Sequence, residues 1–187
     1  MAITPVLCCG FEEGIATGTG HWALSGATIQ GTTKRTGSYA LKCSPATENH
    51  YAITPINTLV KTIRMYIYFT TLPNATADLF IWFNDASKHE GVYFNSSNNS
   101  IYTGSSYTAL GATGVVVTTG RWYCLDVCIN PVPDPTTIDA KVDGVACGQA
   151  TIAHVGFPDN FLYLGNTARV CAGEWYYDDV ILSETLA

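Results

Sequence analysis

From Thr118 to Thr151 the chain alternates apolar and polar residues with a period of two. Tyr123, Leu125, Val127 and Ile129 fall on one face of a strand and Trp122, Cys124, Asp126, Cys128 and Asn130 on the other, because successive strand side chains point to opposite sides. A following strand sets Ile138, Ala140 and Val142 against Asp139, Lys141 and Asp143. It turns at Asp143-Gly144, which supplies the positive φ that a two-residue hairpin needs. A slip of one residue would turn the apolar face outward, so the pattern specifies the register. The same reading predicts strands near 4–9, 21–30, 38–44, 50–54, 60–69, 78–84, 90–95, 99–103, 106–111, 114–118, 121–130, 137–143, 145–151, 160–165 and 174–183. Within them Ile63, Met65, Ile67 and Phe69 oppose Arg64, Tyr66 and Tyr68. Likewise Leu79, Ile81 and Phe83 oppose Phe80 and Trp82. Breakers such as Pro73-Asn74, Gly104-Ser105, Pro131 to Pro135 and Pro158-Asp159 separate the runs.

So many short strands with almost no helix signal predict an all-β fold. Two antiparallel sheets pack face to face as one β-sandwich domain spanning 1–187. With 187 residues, 47% of them hydrophobic and 12% aromatic, the chain has the material for a sizeable core. The net charge of −6 and nine scattered Lys and Arg argue against nucleic acid as a partner. No apolar run approaches the roughly 20 residues of a membrane span. The first residues, MAITPVLCCGFEEG, lack a basic leader and a long apolar stretch, so no signal peptide is expected. Seven cysteines (8, 9, 43, 124, 128, 147 and 171) cannot all pair within one chain. They read mainly as reduced core filler.

The Trp-Tyr strand followed by Lys-Val-Asp-Gly-Val resembles the concanavalin A-like lectin/glucanase (laminin-G-like) jelly-roll superfamily. Three further segments carry the resemblance in the same order. Gly10-Phe11-Glu12-Glu13-Gly14, Trp22 and Gly37-Ser38-Tyr39-Ala40-Leu41 are similar to the opening of jelly-roll carbohydrate-binding modules. Phe161 to Asn166 resembles the strand before the last connection, and Tyr176-Tyr177-Asp178-Asp179-Val180 the closing strand.

The resemblance implies that the opening Glu and closing Asp lie side by side where the terminal strands meet, and hold one structural calcium. Glu12, Asp178 and Asp179 are the residues that match. Independently, Asp178 alternates in phase with Val180 and Leu182, so an inward-facing pair would bring a carboxylate to the core's edge, where it needs compensation. Calcium supplies that; so do backbone N–H groups or Lys34, Arg35 or Lys42.

Catalysis finds little support. The Glu-x-Asp-x-x-Glu strand of the glucanase branch is missing, and Glu174 and Asp178 stand roughly 13 Å apart along a strand, too far for a hydrolytic carboxylate pair. His21, His50, His89 and His154 belong to no recognisable motif. The expectation is therefore a chain that is not an enzyme. Sugar binding is the alternative chemistry, with Trp82, Tyr93, Tyr102 and Tyr107 as stacking platforms. The alternation further predicts that Tyr66, Tyr68, Phe80 and Trp82 make two adjacent strands apolar on both faces, an interface with copies of the chain or with a larger scaffold. A jelly roll of this kind looks like the decoration and fibre proteins of tailed-phage particles. The leading expectation is accordingly a virion surface protein, assembled in a host cytoplasm onto a capsid or tail. A free-standing carbohydrate-binding module or lectin is the alternative.

Overall fold

The computed structural model describes residues 5–12, 22–46, 49–56, 62–84, 89–105, 108–109, 114–130, 136–152, 161–167 and 169–183. They form sixteen strands and, among the described residues, no helix. In chain order these are β1 (Pro5–Cys9), β2 (Ala23–Ser25), β3 (Thr28–Gln30), β4 (Ala40–Cys43), β5 (His50–Pro55), β6 (Thr62–Thr71), β7 (Ala77–Asn84) and β8 (His89–Asn95). They continue as β9 (Ser100–Ser105), β10 (Thr108–Ala109), β11 (Val115–Val116), β12 (Trp122–Asn130), β13 (Thr136–Val142), β14 (Val145–Ile152), β15 (Phe161–Asn166) and β16 (Glu174–Ser183).

Two antiparallel sheets result. The first runs β14-β13-β12-β6-β16-β4-β3 with β1 also on β16, and the second runs β10-β9-β8-β7-β15-β5-β2 with β11 also on β9. The predicted all-β sandwich is what forms, and it is compatible with a concanavalin A-like jelly roll. The Asp143-Gly144 hairpin closes as its residues dictate, with φ of 50° and 81° and Val142 opposite Val145.

One predicted strand, 21–30, is two. Gly26 has a φ of 68°, and a methyl group there would run into the Asn49 carbonyl and the His50 ring. Glycine therefore permits a sharp bend that an L side chain resists. Before the bend β2 pairs with β5 in the second sheet, and after it β3 pairs with β4 in the first.

The core lies between the sheets. Ile63, Met65, Ile67 and Phe69 meet Leu125, Val127, Ile138 and Trp175 from one side and Leu79, Phe80, Val92, Phe94 and Leu164 from the other. A buried polar tie crosses it. Trp175 Nε1 donates to the Tyr177 hydroxyl at 3.0 Å, which donates to the Leu79 carbonyl at 2.6 Å.

Two expectations about faces are corrected here. The first concerns Tyr66, Tyr68, Phe80 and Trp82, which do not share a surface, because β6 and β7 belong to different sheets. Tyr66 and Tyr68 are half-buried on the outer face of the first sheet, whereas Phe80 and Trp82 sit in the core. Register shifts between Asp78 and Phe80 and between Ile81 and Phe83 break the simple alternation in β7. The second concerns Asp178. A bulge separates it from Ile181, with Asp179 at a φ of 49°, so Tyr177 and Val180 both face the core. Asp178 consequently pairs with Tyr66 on the outer face and does not point inward with Val180 and Leu182.

Candidate functional site

The chain ends meet as the terminal carboxylates predicted. β1 pairs with the second half of β16, Cys9 opposite Val180, while β4 pairs with the first half at Trp175 to Tyr177. The hand-over falls at Asp178-Asp179. Over it lies the loop from Gly31 to Tyr39, and all three predicted carboxylates hold that loop. Asp178 Oδ2 accepts the N–H groups of Arg35 at 2.7 Å and Thr36 at 3.1 Å, and its Oδ1 accepts that of Asp179 at 2.8 Å. Glu12 Oε2 accepts the Ser38 N–H at 2.6 Å. Asp179 accepts Arg35 Nη1 at 2.5 Å and Thr36 Oγ1 at 2.6 Å. Gly37, at a φ of 60°, is required because a side chain there would collide with the Glu12 carboxylate.

Asp178 is fully buried. Burial pushes its carboxyl above the ordinary value, against the downward pull of the three N–H bonds. The loop turns N–H donors inward, and a calcium ion needs inward oxygens. This donor set fits compensation by amides and does not fit calcium. Among the described residues no group of three or more His, Cys, Asp or Glu converges as a metal site.

Beside this latch a row of aromatic side chains crosses the outer face of the first sheet. Trp122 on β12 stands opposite Tyr68 on β6, Tyr68 opposite Tyr176 on β16, and Tyr176 opposite Lys42 on β4. The rings touch, Tyr68 and Trp122 at 5.3 Å between centroids and Tyr68 and Tyr176 at 6.4 Å. Trp122 and Tyr68 are half-buried and keep part of their surface open, whereas Tyr176 is buried beneath its neighbours. In the next row Arg35 stacks on Tyr66 at 3.5 Å. At the far end Glu174 accepts from Lys42 at 2.5 Å, from the Tyr176 hydroxyl at 2.7 Å and from Thr70 Oγ1 at 2.7 Å. The Lys42 bond, with the other two, holds the Glu174 carboxyl down at about 2.

The folded-state value lies below the ordinary 4.5. Glu174 therefore contributes stability above that ordinary value and loses it as pH falls from about 4.5 to about 2. Screening at this partly exposed site limits the effect to about 1 kcal/mol. Acid titration of the melting temperature is expected to show this loss in the native chain and not in Glu174→Gln.

The residues predicted to stack on sugars are elsewhere. Trp82 is buried in the main core, and Tyr107 lies outside the described residues. Tyr93 and Tyr102 do stand on an outer face, that of the second sheet, where they pack on each other at 5.6 Å and cluster with Ile81 and Tyr163. Both are buried there, Tyr93 completely, and burial pushes the Tyr102 hydroxyl up to about 12. Neither ring offers a face to a ligand. Trp122, Tyr68 and Tyr176 each carry a legible signal, an aromatic at a polar-phase position. What makes them one surface is the neighbourhood of β12, β6 and β16, which local sequence does not state. Cysteines 43, 147 and 171 are buried and 124 and 128 half-buried, all five as free thiols.

No protein-family model matches the chain, and no curated protein matches it in sequence. Solved structures do resemble it in fold. The Trypanosoma rangeli sialidase superposes with a TM-score of 0.62 at 14% identity, over 92% of this chain and 30% of that one. The binding domain of Paraclostridial Mosquitocidal Protein 1 gives 0.64 at 11% identity, over 98% and 49%. This likeness corrects the expectation that the chain is not an enzyme. That expectation rested on a missing glucanase carboxylate pair, and the same fold occurs in sialidases, including one solved as a covalent intermediate, so lacking one branch's motif does not exclude catalysis. The chain spans under a third of the sialidase and about half of the toxin domain, and at these identities what it shares with them is the antiparallel β-sandwich.

Proposed function

We propose that this β-sandwich binds carbohydrate on the outer face of its first sheet. The observation that carries the reading is the pair Trp122 and Tyr68, both partly open, with buried Tyr176 packed beside Tyr68. Three rings in contact on neighbouring strands are bordered by fixed donors and acceptors from Lys42, Glu174 and Thr70. Sugar rings present apolar C–H faces and polar hydroxyl edges. An aromatic row with charged groups at its margin satisfies both kinds of surface at once. The solved neighbours support the reading in kind, since one was captured with sialic acid and another is a toxin's binding domain.

Glycan-array screening of the chain, followed by calorimetry on retained glycans, tests it. Trp122→Ala and Tyr68→Ala are each expected to weaken binding about tenfold or more, equivalent to about 1.4 kcal/mol, with little change in melting temperature. Retention that survives both substitutions would place the binding elsewhere. A virion surface component, docked through this face onto copies of the chain or onto a capsid or tail, is the narrower proposal. Recovery of the chain in purified particles, with release by Trp122→Ala, would favour it.

A further inference from the structure

The cations in contact with the aromatic row are held by carboxylates. Four cations border it, and each has a carboxylate partner: Arg35 with Asp179 at 2.5 Å, Lys42 with Glu174 at 2.5 Å, Arg64 with Asp126 at 2.6 Å and Arg121 with Asp143 at 2.9 Å. These pairs are distributed along the row. Lys42 stands over the Tyr176 ring at 5.8 Å, Arg35 over Tyr66, and Arg64 and Asp126 face each other across β6 and β12. Lys141, on the same face, is in register directly opposite Asp126, and Asp178 adds one more carboxylate without a cation of its own. Lys141 stands exposed at the margin and Lys34 donates to the Gly31 carbonyl, so the cations that touch the rings of the row already have anions, and the chain as a whole carries a net charge of −6.

We infer that the ligand of this face is a neutral saccharide, not a sialylated, uronic or sulfated one. The inference rests on the glycan-binding reading above and narrows it. A carboxylate or sulfate brought to the row would have to displace Asp179 or Glu174 from its partner, or sit among these carboxylates unpaired. A hydroxyl needs neither. It donates to a carboxylate oxygen and accepts an N–H from the same ion pair, and every such pair offers both. The pairs also hold the long cationic side chains in place before a ligand arrives, which lowers the entropy lost on binding.

The test compares uncharged gluco-, galacto- and manno-oligosaccharides with sialylated, uronic and sulfated ones on the intact chain, at about 50 mM and about 500 mM NaCl. Neutral members are expected to bind with affinities that change less than about twofold between the two salt concentrations. In Glu174→Gln, which leaves Lys42 without its anion, binding of acidic saccharides is expected to appear and to fall with salt. Retention of acidic glycans only, by the native chain and lost about tenfold or more at the higher salt, overturns the inference while leaving the carbohydrate reading intact. Failure of both classes to bind overturns both.

Discussion

Trp175→Ala is expected to lower the unfolding free energy by about 3–5 kcal/mol. For a chain of this size that is a fall in melting temperature of about 6–20 °C. Trp175 is the largest of the fully buried side chains, so its removal opens a cavity in the middle of the sandwich. It also ends the polar tie between the sheets, because Trp175 Nε1 donates to the Tyr177 hydroxyl, which in turn donates to the Leu79 carbonyl. Tyr177→Phe separates the two contributions. It preserves the volume but leaves a buried indole N–H and a buried carbonyl without these partners, at about 1–3 kcal/mol. Urea denaturation with an unchanged slope would measure both. An equal cost for the two variants would assign the whole effect to the hydrogen bonds, and a negligible cost for Trp175→Ala would contradict the packing described above.

Asp178→Ala is expected to cost about 2–4 kcal/mol, while a chelator leaves the melting temperature of the native chain unchanged. The side chain is buried and receives the N–H groups of Arg35, Thr36 and Asp179. Without it those donors lose their acceptor and the loop from Gly31 to Tyr39 loses its central anchor. Relief of the buried charge offsets part of the loss, since burial holds this carboxyl above its ordinary value. Asp178→Asn keeps one acceptor oxygen and should fall between the two. The loop carries Arg35 onto Tyr66 beside the aromatic row, so Asp178→Ala is also expected to weaken glycan binding without touching the row itself. A melting temperature lowered by chelator would show instead that a cation, and not the amides, compensates these carboxylates.

How much of this was legible in sequence depended on distance along the chain. The hairpin at Asp143-Gly144, the apolar face of Tyr123 to Ile129 and the two-sheet sandwich follow from period-two alternation and turn chemistry, which act over a few residues and leave little choice. Glu12 and Asp178 were singled out by the jelly-roll resemblance, which sets the opening Glu beside the closing Asp, and not by alternation. Local alternation failed at bulges. In β7 and at Asp178-Asp179 an extra residue shifts the phase, reversing the faces expected for Phe80 and Trp82 and for Asp178.

Which strands become neighbours was decided only by the tertiary structure. β6 and β7 follow each other in the chain yet pack into opposite sheets, so Tyr66 and Tyr68 never meet Phe80 and Trp82 on one surface. Trp122, Tyr68 and Tyr176 lie far apart in sequence and form one row because β12, β6 and β16 pair side by side. The physical reason is that alternation states which face of a strand is apolar, whereas strand order minimises exposed edges and apolar area over the whole chain at once. The bend at Gly26 and the bulge at Asp179 are single-residue devices that become interpretable only when the sheets they connect are in place.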